Sequence, residues 1–158
     1  MGRHILAFDL GTGGNKASIF DPEGQCVAEQ FVPYPTSYPR SGWHEQRPED
    51  WFSAVVESTQ ALLKLTQIDP AEIGCLGISG HSLGVVPLDK EGHLLRDTTP
   101  IWSDSRAQAQ AAEFFTRIPE DDWYLLTGNG FPAPLYSVFK IMWYRDTEPD
   151  LFNRAAKV

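Results

Sequence analysis

The chain of 158 residues has the length of one domain and can bury about two-thirds of its unfolded surface, so it needs no disulfide or metal to fold. Its hydrophobic fraction of 42% and charged fraction of 22% are ordinary for a globular protein and exclude a disordered one. The net charge of −8 argues against a nucleic-acid partner, because nucleic-acid phosphates are bound by clustered Lys and Arg.

Two isolated cysteines and the hydropathy pattern bear on the cellular compartment. Cys26 and Cys75 are not part of a C-x-x-C motif and have no neighbouring histidine, which favours buried thiols in a reducing compartment. The sequence contains no long apolar run typical of a signal peptide or a membrane span. We therefore expect a cytoplasmic protein with no membrane partner.

The first hundred residues predict a sheet-forming core. Three short strands are expected at residues 5–9, 16–21 and 25–33, joined as a β-meander by turns rich in Gly, Asn and Asp. Pro48 and two following acids predict the start of a helix that ends before Asp69. Its apolar face has helical spacing and comprises Trp51, Val55, Ser58, Leu62 and Leu65. Strands at residues 73–79, parallel to the first, and 85–89 complete an α/β fold with a mixed five-stranded sheet flanked by helices.

Residues 101–158 predict a mainly helical part. Helices are expected at residues 105–117, with Ser105 as the cap, and at 120–126, 137–145 and 149–156. Lys157 and Val158 have the character of the first residues of another strand, with no stop signal. We therefore expect residues 1–158 to be an incomplete domain, truncated at Val158 ahead of a missing strand.

The loop between the first two predicted strands carries the most distinctive chemistry. It runs from Asp9 through Gly11, Thr12, Gly13, Gly14 and Asn15 to Lys16. Glycines allow tight bends and present backbone N–H groups to an anion, while Thr12 adds a hydroxyl donor and Lys16 a cation. A carboxylate beside phosphates needs a divalent cation between them, and Mg²⁺ requires few protein ligands. The set therefore predicts a cradle for Mg²⁺ and nucleotide phosphates.

Two familiar glycine motifs do not match this loop. The Walker motif G-x-x-x-x-G-K-[ST] fails because Asn15 precedes Lys16 and Ala17 follows it. The dinucleotide fingerprint G-x-G-x-x-G fails because Lys16 occupies the third glycine position, and a strand follows where that motif needs a helix. A plain β-hairpin turn that binds no ligand is the alternative.

Several separated segments, in this order, resemble the FGGY family of carbohydrate kinases. The first is the loop from Phe8 to Lys16, and the most distinctive is GWHEQRPEDW at residues 42–51, which is similar to the element GW-x-EQ-x-PE-x-W. ISGHSLG at residues 78–84 occupies the strand-end turn that lines the sugar pocket in relatives, and IWSDSR at 101–106 resembles W-x-D-x-R. Residues 126–143, with Lys140 and Trp143, resemble the TG…K…W segment. The resemblance covers essentially the whole chain.

The resemblance implies a ribonuclease H-like fold, shared with actin, hexokinase and chaperone ATPases, and ATP-dependent phosphorylation of a small sugar or polyol. ATP and Mg²⁺ are the implied cofactors. Asp9 would hold Mg²⁺ through water, and the backbone of residues 13–15 would contact the phosphates together with Lys16. The implied cofactor-binding set is Asp9, Gly11, Thr12, Gly13, Gly14, Asn15 and Lys16.

For the substrate, the resemblance implies a pocket formed by His81, Ser82 and Leu83, with Trp102 and Asp104 nearby. Relatives that act on xylulose have Gln-Met-His where this chain has His-Ser-Leu, and glycerol kinases have an Arg-Glu pair that this chain lacks. The missing pair disfavours glycerol, and the particular sugar or polyol stays open.

Simpler structural roles are available for these residues. Asp104 could cap a helix, Trp102 could pack in the core, and Lys16 could be a solvated strand residue. Lys140 is expected on a helix surface and Trp143 in the core. A structural loop is expected for Trp43, Glu45 and Gln46.

No residue of this chain matches the catalytic base of the family, an aspartate that lies further along in relatives. A general base contributes about 10²–10⁴-fold in rate, so we expect the 158-residue chain alone to be inactive. Two other classes stay open, a non-catalytic sugar-binding or regulatory domain and an actin- or chaperone-like ATPase. A homo-oligomer is also open, and we expect the isolated chain to self-associate.

Overall fold

A computed structural model describes residues 3–130 and 132–158 of the chain. They group into two compact units, described here one at a time. Unit 1 comprises the described residues of Met1–Thr36 and Arg47–His81, and unit 2 comprises those of Ser37–Gln46 and Ser82–Val158. These boundaries differ from the division at residue 100 expected from the sequence. None of the helices in the described ranges is long and apolar enough to cross a membrane.

The helices and strands follow one another along both units. In chain order they are β1 (His4–Leu10), β2 (Gly14–Phe20), β3 (Cys26–Pro33), β4 (Glu45–Gln46), α1 (Pro48–Thr66), β5 (Ile73–Ser79), β6 (Thr99–Pro100), α2 (Gln108–Phe115), α3 (Glu120–Thr127), α4 (Ser137–Thr147) and α5 (Pro149–Arg154). Short 3-10 helices at Pro70–Glu72 and Ala133–Leu135 complete the described elements.

Unit 1 is built on a four-stranded mixed sheet in the order β3-β2-β1-β5. Strands β1, β2 and β3 pair antiparallel, and β5 pairs parallel to β1. The predicted meander and parallel strand are confirmed, and their ends agree within two residues. Because β5 pairs parallel to β1, the carboxyl ends of these two strands lie at the same edge of the sheet.

Helix α1 covers one face of this sheet. It begins at Pro48 and ends before Asp69, as the sequence pattern predicts, and it is followed by a left-handed C-cap at Gln67. Its buried residues are Ala54, Ser58 and Leu62, spaced by four. Leu62 packs on a cluster formed by Leu6, Phe8, Ala17 and Ile19. The prediction that Leu65 is buried is wrong: it is 68% exposed, and Ile68 packs on that cluster instead.

Unit 2 combines the two-stranded pair β4–β6 with helices α2 to α5. Helix α2 begins at Gln108, and the prediction that Ser105 caps it is wrong: its N-cap is Ala107, while both the N–H and the hydroxyl of Ser105 donate to the Gly42 carbonyl. Helix α5 ends at Arg154, since the N–H of Ala156 donates to the Leu88 carbonyl. The core of the unit includes Val85, Ala107, Ala111, Ala133, Phe139, Trp143 and Tyr144, so the predicted core position of Trp143 is confirmed.

The strand predicted at residues 85–89 is wrong, and the main sheet of the described residues has four strands, not five. In that segment only Leu88 forms bridges, to Leu94 and Lys157. Pro87 has no N–H to donate to a strand ladder. The Val85 carbonyl accepts instead from the hydroxyl of Thr99. The backbone of residues 87–89 bonds to His93, Leu95 and Lys157, so a segment with the hydrophobic pattern of a strand forms turns and isolated bridges.

The prediction that both cysteines are buried is also wrong, because Cys26 and Cys75 are free and exposed. Cys26 begins β3, which is one edge of the sheet, and Cys75 lies on β5, which is the other edge. On β5 the apolar side chains of Leu76 and Ile78 are likewise 62% and 69% exposed. The surroundings of β5 therefore do not bury its apolar residues.

Candidate functional site

The predicted phosphate loop lies in unit 1 as a tight hairpin turn between β1 and β2. Leu10 pairs with Asn15, and the N–H of Gly11 donates to the Gly14 carbonyl at 3.0 Å. The loop is therefore shorter than residues 11–15. Gly14 and Asn15 already belong to β2.

Tyr34 fixes the backbone of this turn. Its hydroxyl donates to the Gly11 carbonyl at 2.6 Å, and its N–H donates to the Gly13 carbonyl at 3.4 Å. Burial, followed by the negative charge of Asp9, raises the pKa of Tyr34 to about 12. The phenol therefore stays protonated at neutral pH and remains a hydrogen-bond donor to the turn.

Gly11, Gly13 and Gly14 differ in whether packing requires glycine at the position. A Cβ at Gly14 would meet Phe31 Cζ at 2.5 Å, the Val32 carbonyl oxygen at 2.6 Å and Pro33 Cα at 2.8 Å. Packing against β3 therefore demands glycine at this position. A Cβ at Gly13 would meet nothing within 4 Å, and one at Gly11 only the Gly14 carbonyl oxygen at 3.5 Å. Neither backbone is left-handed. Glycine at these two positions fits the close approach of a ligand to bare backbone.

Asp9 lies at the carboxyl end of β1, directly opposite Lys16 of β2 and in register with Ser79 of β5. Paired residues of neighbouring strands lie on the same face of a sheet, so these three residues share the face opposite to that of Phe8, which packs beneath α1. Asp9 and Ser79 are exposed. Open α/β sheets bind ligands at the carboxyl ends of their parallel strands. The carboxylate of Asp9 is thus available where a ligand is expected.

Lys16 provides a positive charge on this face. Its Nζ lies 3.0 Å from Glu29 Oε2, and both side chains are more than half exposed. The hydrogen bond and charge of Glu29 raise the pKa of Lys16, with a smaller contribution from Asp9. An exposed ion pair of this kind is weak, so the ammonium can also bind a phosphate.

Asn15 contributes to the turn through a buried side chain. Its Nδ2 donates to Ser58 Oγ at 2.8 Å and to the Ala54 carbonyl at 3.4 Å, both in α1. The side chain is fully buried. It ties the turn to the helix, and only the backbone of Asn15 can face a phosphate.

As ligands for a metal ion, the described residues offer single carboxylates rather than clusters. In residues 3–130 and 132–158 no group of three or more His, Cys, Asp or Glu side chains could hold a metal ion. A single carboxylate such as Asp9 fits Mg²⁺, which usually keeps several waters and takes substrate phosphates as ligands.

His81 follows β5 within unit 1 and packs against two aromatic residues. Its ring stacks on Trp51 with centroids 4.8 Å apart, and Tyr34 lies 6.4 Å away. Burial lowers the pKa of His81, so the imidazole is neutral at neutral pH. Its Nε2 is buried without a hydrogen-bond partner among the described residues. Such an atom fits a ligand hydroxyl, because a neutral imidazole offers one donor and one acceptor nitrogen.

The other residues expected at the substrate pocket lie in unit 2. Ser82 is exposed, and Trp102 is 43% exposed. Leu83 is half-buried and has a φ of 59°, a left-handed backbone that is rare for leucine. Exposed hydroxyl and indole groups suit the binding of a small hydroxylated molecule.

Asp104 is fully buried and engaged within unit 2. Its Oδ2 accepts from the N–H of His44 at 2.7 Å and from Arg106 Nη2 at 2.8 Å. Its Oδ1 accepts from the N–H and Nε of Arg106 at 3.0 and 2.9 Å. The carboxylate therefore holds neighbouring protein groups, including the start of the segment that leads to α2.

Arg106 joins two of the sequence motifs. Besides Asp104, its Nη2 binds Glu45 Oε1 at 2.7 Å, and its guanidinium lies 3.9 Å from the Trp43 ring centroid. Burial alone would raise the pKa of Glu45. Hydrogen bonds from Thr98 and Arg106 and nearby positive charges outweigh burial, so the pKa lies below its usual range. The buried network agrees with the structural role predicted for Trp43 and Glu45, but the prediction of a loop is wrong for Glu45 and Gln46, which form the buried strand β4.

The prediction of a surface position for Lys140 is wrong. Lys140 is fully buried, and the three N–H groups of its ammonium are shared among four backbone carbonyls, those of Leu83, Ile101, Trp102 and Leu135, at Nζ–O distances of 2.6–3.4 Å. Burial lowers its pKa to about 8, while Asp104 raises it and Arg106 lowers it. The ammonium therefore stays mostly charged at neutral pH.

Sequence reasoning missed the roles of Tyr34, Trp51, Arg106 and Lys140. For Lys140 a signal was present, because it stands in the apolar run Val-Phe-Lys-Ile-Met-Trp at residues 138–143. Tyr34 follows β3 with no comparable signal, since its contact with the turn depends on strand pairing.

Comparison with known proteins defines the class. The sequence profile of the N-terminal domain of the FGGY family of carbohydrate kinases matches residues 4–158. The xylulose kinase of Escherichia coli K12 is 31% identical over 157 residues, which cover 97% of this chain and 30% of that protein. The glycerol kinase of Thermococcus gammatolerans is 26% identical over 159 residues, covering 99% of this chain and 31% of that protein. The crystal structure of a xyloylose kinase from Brucella ovis superposes with a TM-score of 0.88 at 31% identity, covering 98% of this chain and 31% of that one.

The chain therefore belongs to the FGGY family of carbohydrate kinases. It spans 30% of the length of the xylulose kinases that it matches. The mixed sheet of unit 1, with α1 on one face, agrees with the expected actin- and hexokinase-like fold.

Proposed function

We propose that the complete protein containing this chain transfers the γ-phosphoryl group of ATP to a hydroxyl of a small sugar or polyol. The observation that carries this proposal is the exposed carboxyl edge of β1 and β5, where Asp9 adjoins a turn with two glycines that packing does not require. Membership of a carbohydrate kinase family supports the same chemistry.

In this proposal the turn binds the nucleotide. The backbone at Gly13 receives the phosphates, because the N–H of Gly11 already donates to the Gly14 carbonyl. Lys16 adds a positive charge, and Asp9 would hold Mg²⁺ through its water ligands. Bound Mg²⁺ supplies neutralisation of charge on the phosphates. Tyr34 and Asn15 keep the turn rigid, so its N–H groups are preorganised for the nucleotide.

The acceptor is a small molecule with several hydroxyl groups. In unit 1, His81 offers a buried Nε2 that has no hydrogen-bond partner among the described residues. In unit 2, Ser82 offers an exposed hydroxyl and Trp102 an apolar face of the kind that packs on sugar carbons. Leu83 adds an apolar contact. We assign Asp104 a holding role, because both of its oxygens are engaged by His44 and Arg106. The relatives' names, xylulose kinase and glycerol kinase, make ketoses and polyols the first acceptors to test.

The catalytic base is expected outside these residues. No residue of this chain matches the family's base aspartate, and Asp104 has no oxygen left for a substrate hydroxyl. A general base contributes about 10²–10⁴-fold. We therefore expect the 158-residue chain alone to have no useful kinase activity.

The test measures acceptor-dependent ADP formation by the complete protein with xylulose, glycerol and other small sugars and polyols. Asp9→Asn should lower kcat/KM by about 10²-fold or more, because the Mg²⁺ that neutralises the phosphates loses the carboxylate that would hold it. Asp122→Asn, at an exposed position in α3, is the matched control and should change activity less than twofold. Sugar binding without turnover would favour a regulatory domain, and ATP hydrolysis without an acceptor would favour a chaperone-like ATPase.

A further inference from the structure

A short segment after His81 in unit 2 is held by side chains rather than by a strand ladder. Three successive carbonyls each accept from a different side chain: Leu83 from Lys140 Nζ at 2.8 Å, Gly84 from Ser137 Oγ at 3.1 Å, and Val85 from the Thr99 hydroxyl. Two of these donors lie on the first turns of α4. The helix therefore fixes the path of this segment.

Leu83 has a left-handed backbone, which needs hydrogen bonds of this kind to maintain it. Only two described residues other than glycine have a left-handed φ, Leu83 and Gln67. Gln67 is the C-cap of α1, where a left-handed residue is usual. Leu83 ends no helix, and a strained backbone of this kind persists only where the surroundings fix it and is concentrated at functional sites.

The hydrogen-bonding of Lys140 is unusual for a buried charge. Its acceptors are backbone carbonyls, and it takes part in no ion pair within the described ranges. A buried ammonium is costly to desolvate and is normally paired with a carboxylate. The ammonium of Lys140 therefore acts mainly by fixing the backbone groups that it binds, which include the carbonyls of Leu83 and Trp102.

We propose that Lys140 is the positioning residue of the acceptor pocket: its ammonium holds Leu83 in the left-handed conformation and anchors the backbone of Trp102. The inference rests on the proposed function, in which both residues contact the acceptor. Catalysis depends on such anchoring, since a displacement of about 1 Å costs about 10²-fold in rate.

The first experiment separates the acceptor from the nucleotide. In the complete protein, Lys140→Met keeps the length of the side chain and removes the ammonium. We expect the KM for the preferred acceptor to rise about tenfold or more, while the KM for ATP stays within twofold. Lys90→Met is the matched control, because the Lys90 side chain is 83% exposed. An unchanged acceptor KM, or equal increases in both KM values, would overturn the proposal.

The second experiment tests whether Lys140 acts through the Leu83 backbone. In the Lys140→Met background, Leu83→Gly and Leu83→Ala both remove the side chain, but only glycine tolerates the left-handed φ without strain. We expect the acceptor KM of the glycine variant to be at least threefold lower than that of the alanine variant. Equal values would contradict a role through this backbone.

A third measurement needs no activity and separates the two proposals. Amide hydrogen exchange of residues 83–85 in the complete protein should be at least tenfold faster in Lys140→Met than in the wild type. If the wild type phosphorylates no acceptor, the proposed function fails, and unchanged exchange would separately overturn the role of Lys140. If Lys140→Met does not fold, Ser137→Ala releases the Gly84 carbonyl. It should raise the acceptor KM about threefold and speed exchange at residues 83–85, and no change in either would overturn the proposal.

Discussion

Gly13 ends the β1–β2 turn and Gly14 begins β2. We expect alanine to lower the stability of the fold at Gly14 and the affinity for nucleotide at Gly13. A methyl group at Gly14 would lie 2.5–2.8 Å from atoms of Phe31, Val32 and Pro33, about 1 Å closer than a favourable contact. Two of these three atoms belong to the backbone and cannot rotate away. Overpacking usually costs about 1–3 kcal/mol, so we expect Gly14→Ala to lower the free energy of unfolding by about 3 kcal/mol.

Gly13→Ala is the matched control for stability and the test for ligand binding. Its Cβ would meet nothing within 4 Å, and its backbone is not left-handed. The fold should therefore tolerate alanine, with a stability change within about 1 kcal/mol. If phosphates approach this backbone, the methyl group would keep them away, and the affinity for Mg·ATP should fall at least tenfold.

Urea unfolding followed by tryptophan fluorescence measures stability, and calorimetry on the complete protein measures nucleotide affinity. A Gly14→Ala variant within 0.5 kcal/mol of the wild type would refute the packing argument. A Gly13→Ala variant with wild-type affinity for Mg·ATP would refute the placement of the phosphates.

Three further predictions concern stability and association. Arg106→Met should cost about 3–5 kcal/mol in urea unfolding, because it leaves the buried carboxylate of Asp104 without its ion-pair partner and leaves Glu45 with Arg96 alone as its ion-pair partner among the described residues; a loss below 1 kcal/mol would contradict this. Lys140 has a pKa of about 8 in the folded chain, lowered mainly by burial, with Asp104 raising it and Arg106 lowering it, against 10.5 as its ordinary value. The unfolded chain thus binds more protons between these values, so the free energy of unfolding should rise by about 1–2 kcal/mol from pH 8 to pH 9.5 relative to Lys140→Met; parallel pH profiles would show that this pKa is wrong. The isolated chain should self-associate in sedimentation through the exposed apolar residues of the edge strand β5, and Ile78→Lys should leave a monomer; a monomeric wild type would exclude this association.

Elements with a strong local pattern were predicted well from the sequence. The β-meander follows from three apolar runs separated by turn residues, and α1 follows from Pro48, its first-turn acids and helical apolar spacing. Both depend on neighbours in sequence, so they need no knowledge of distant partners. The resemblance to the FGGY family rested on short motifs in order, and the match over residues 4–158 confirms it.

Features that depend on distant partners were not predicted. The segment at residues 85–89 has the hydrophobic pattern of a strand, yet Thr99, fourteen residues away, accounts for the Val85 carbonyl. The burial of Lys140 depends on four carbonyls from three separate segments. The cysteines were expected to be buried because free thiols usually are, whereas both lie on edge strands of the sheet. In each case tertiary contacts outweighed the local pattern.

The most direct test of the central claim is phosphorus NMR of the complete protein incubated with Mg·ATP and a panel of small sugars and polyols. We expect a new phosphate monoester signal that grows in step with the loss of the ATP γ-phosphate, with at least one acceptor. Formation of inorganic phosphate alone, or no loss of ATP with any acceptor, would contradict the assignment of phosphoryl transfer to this protein.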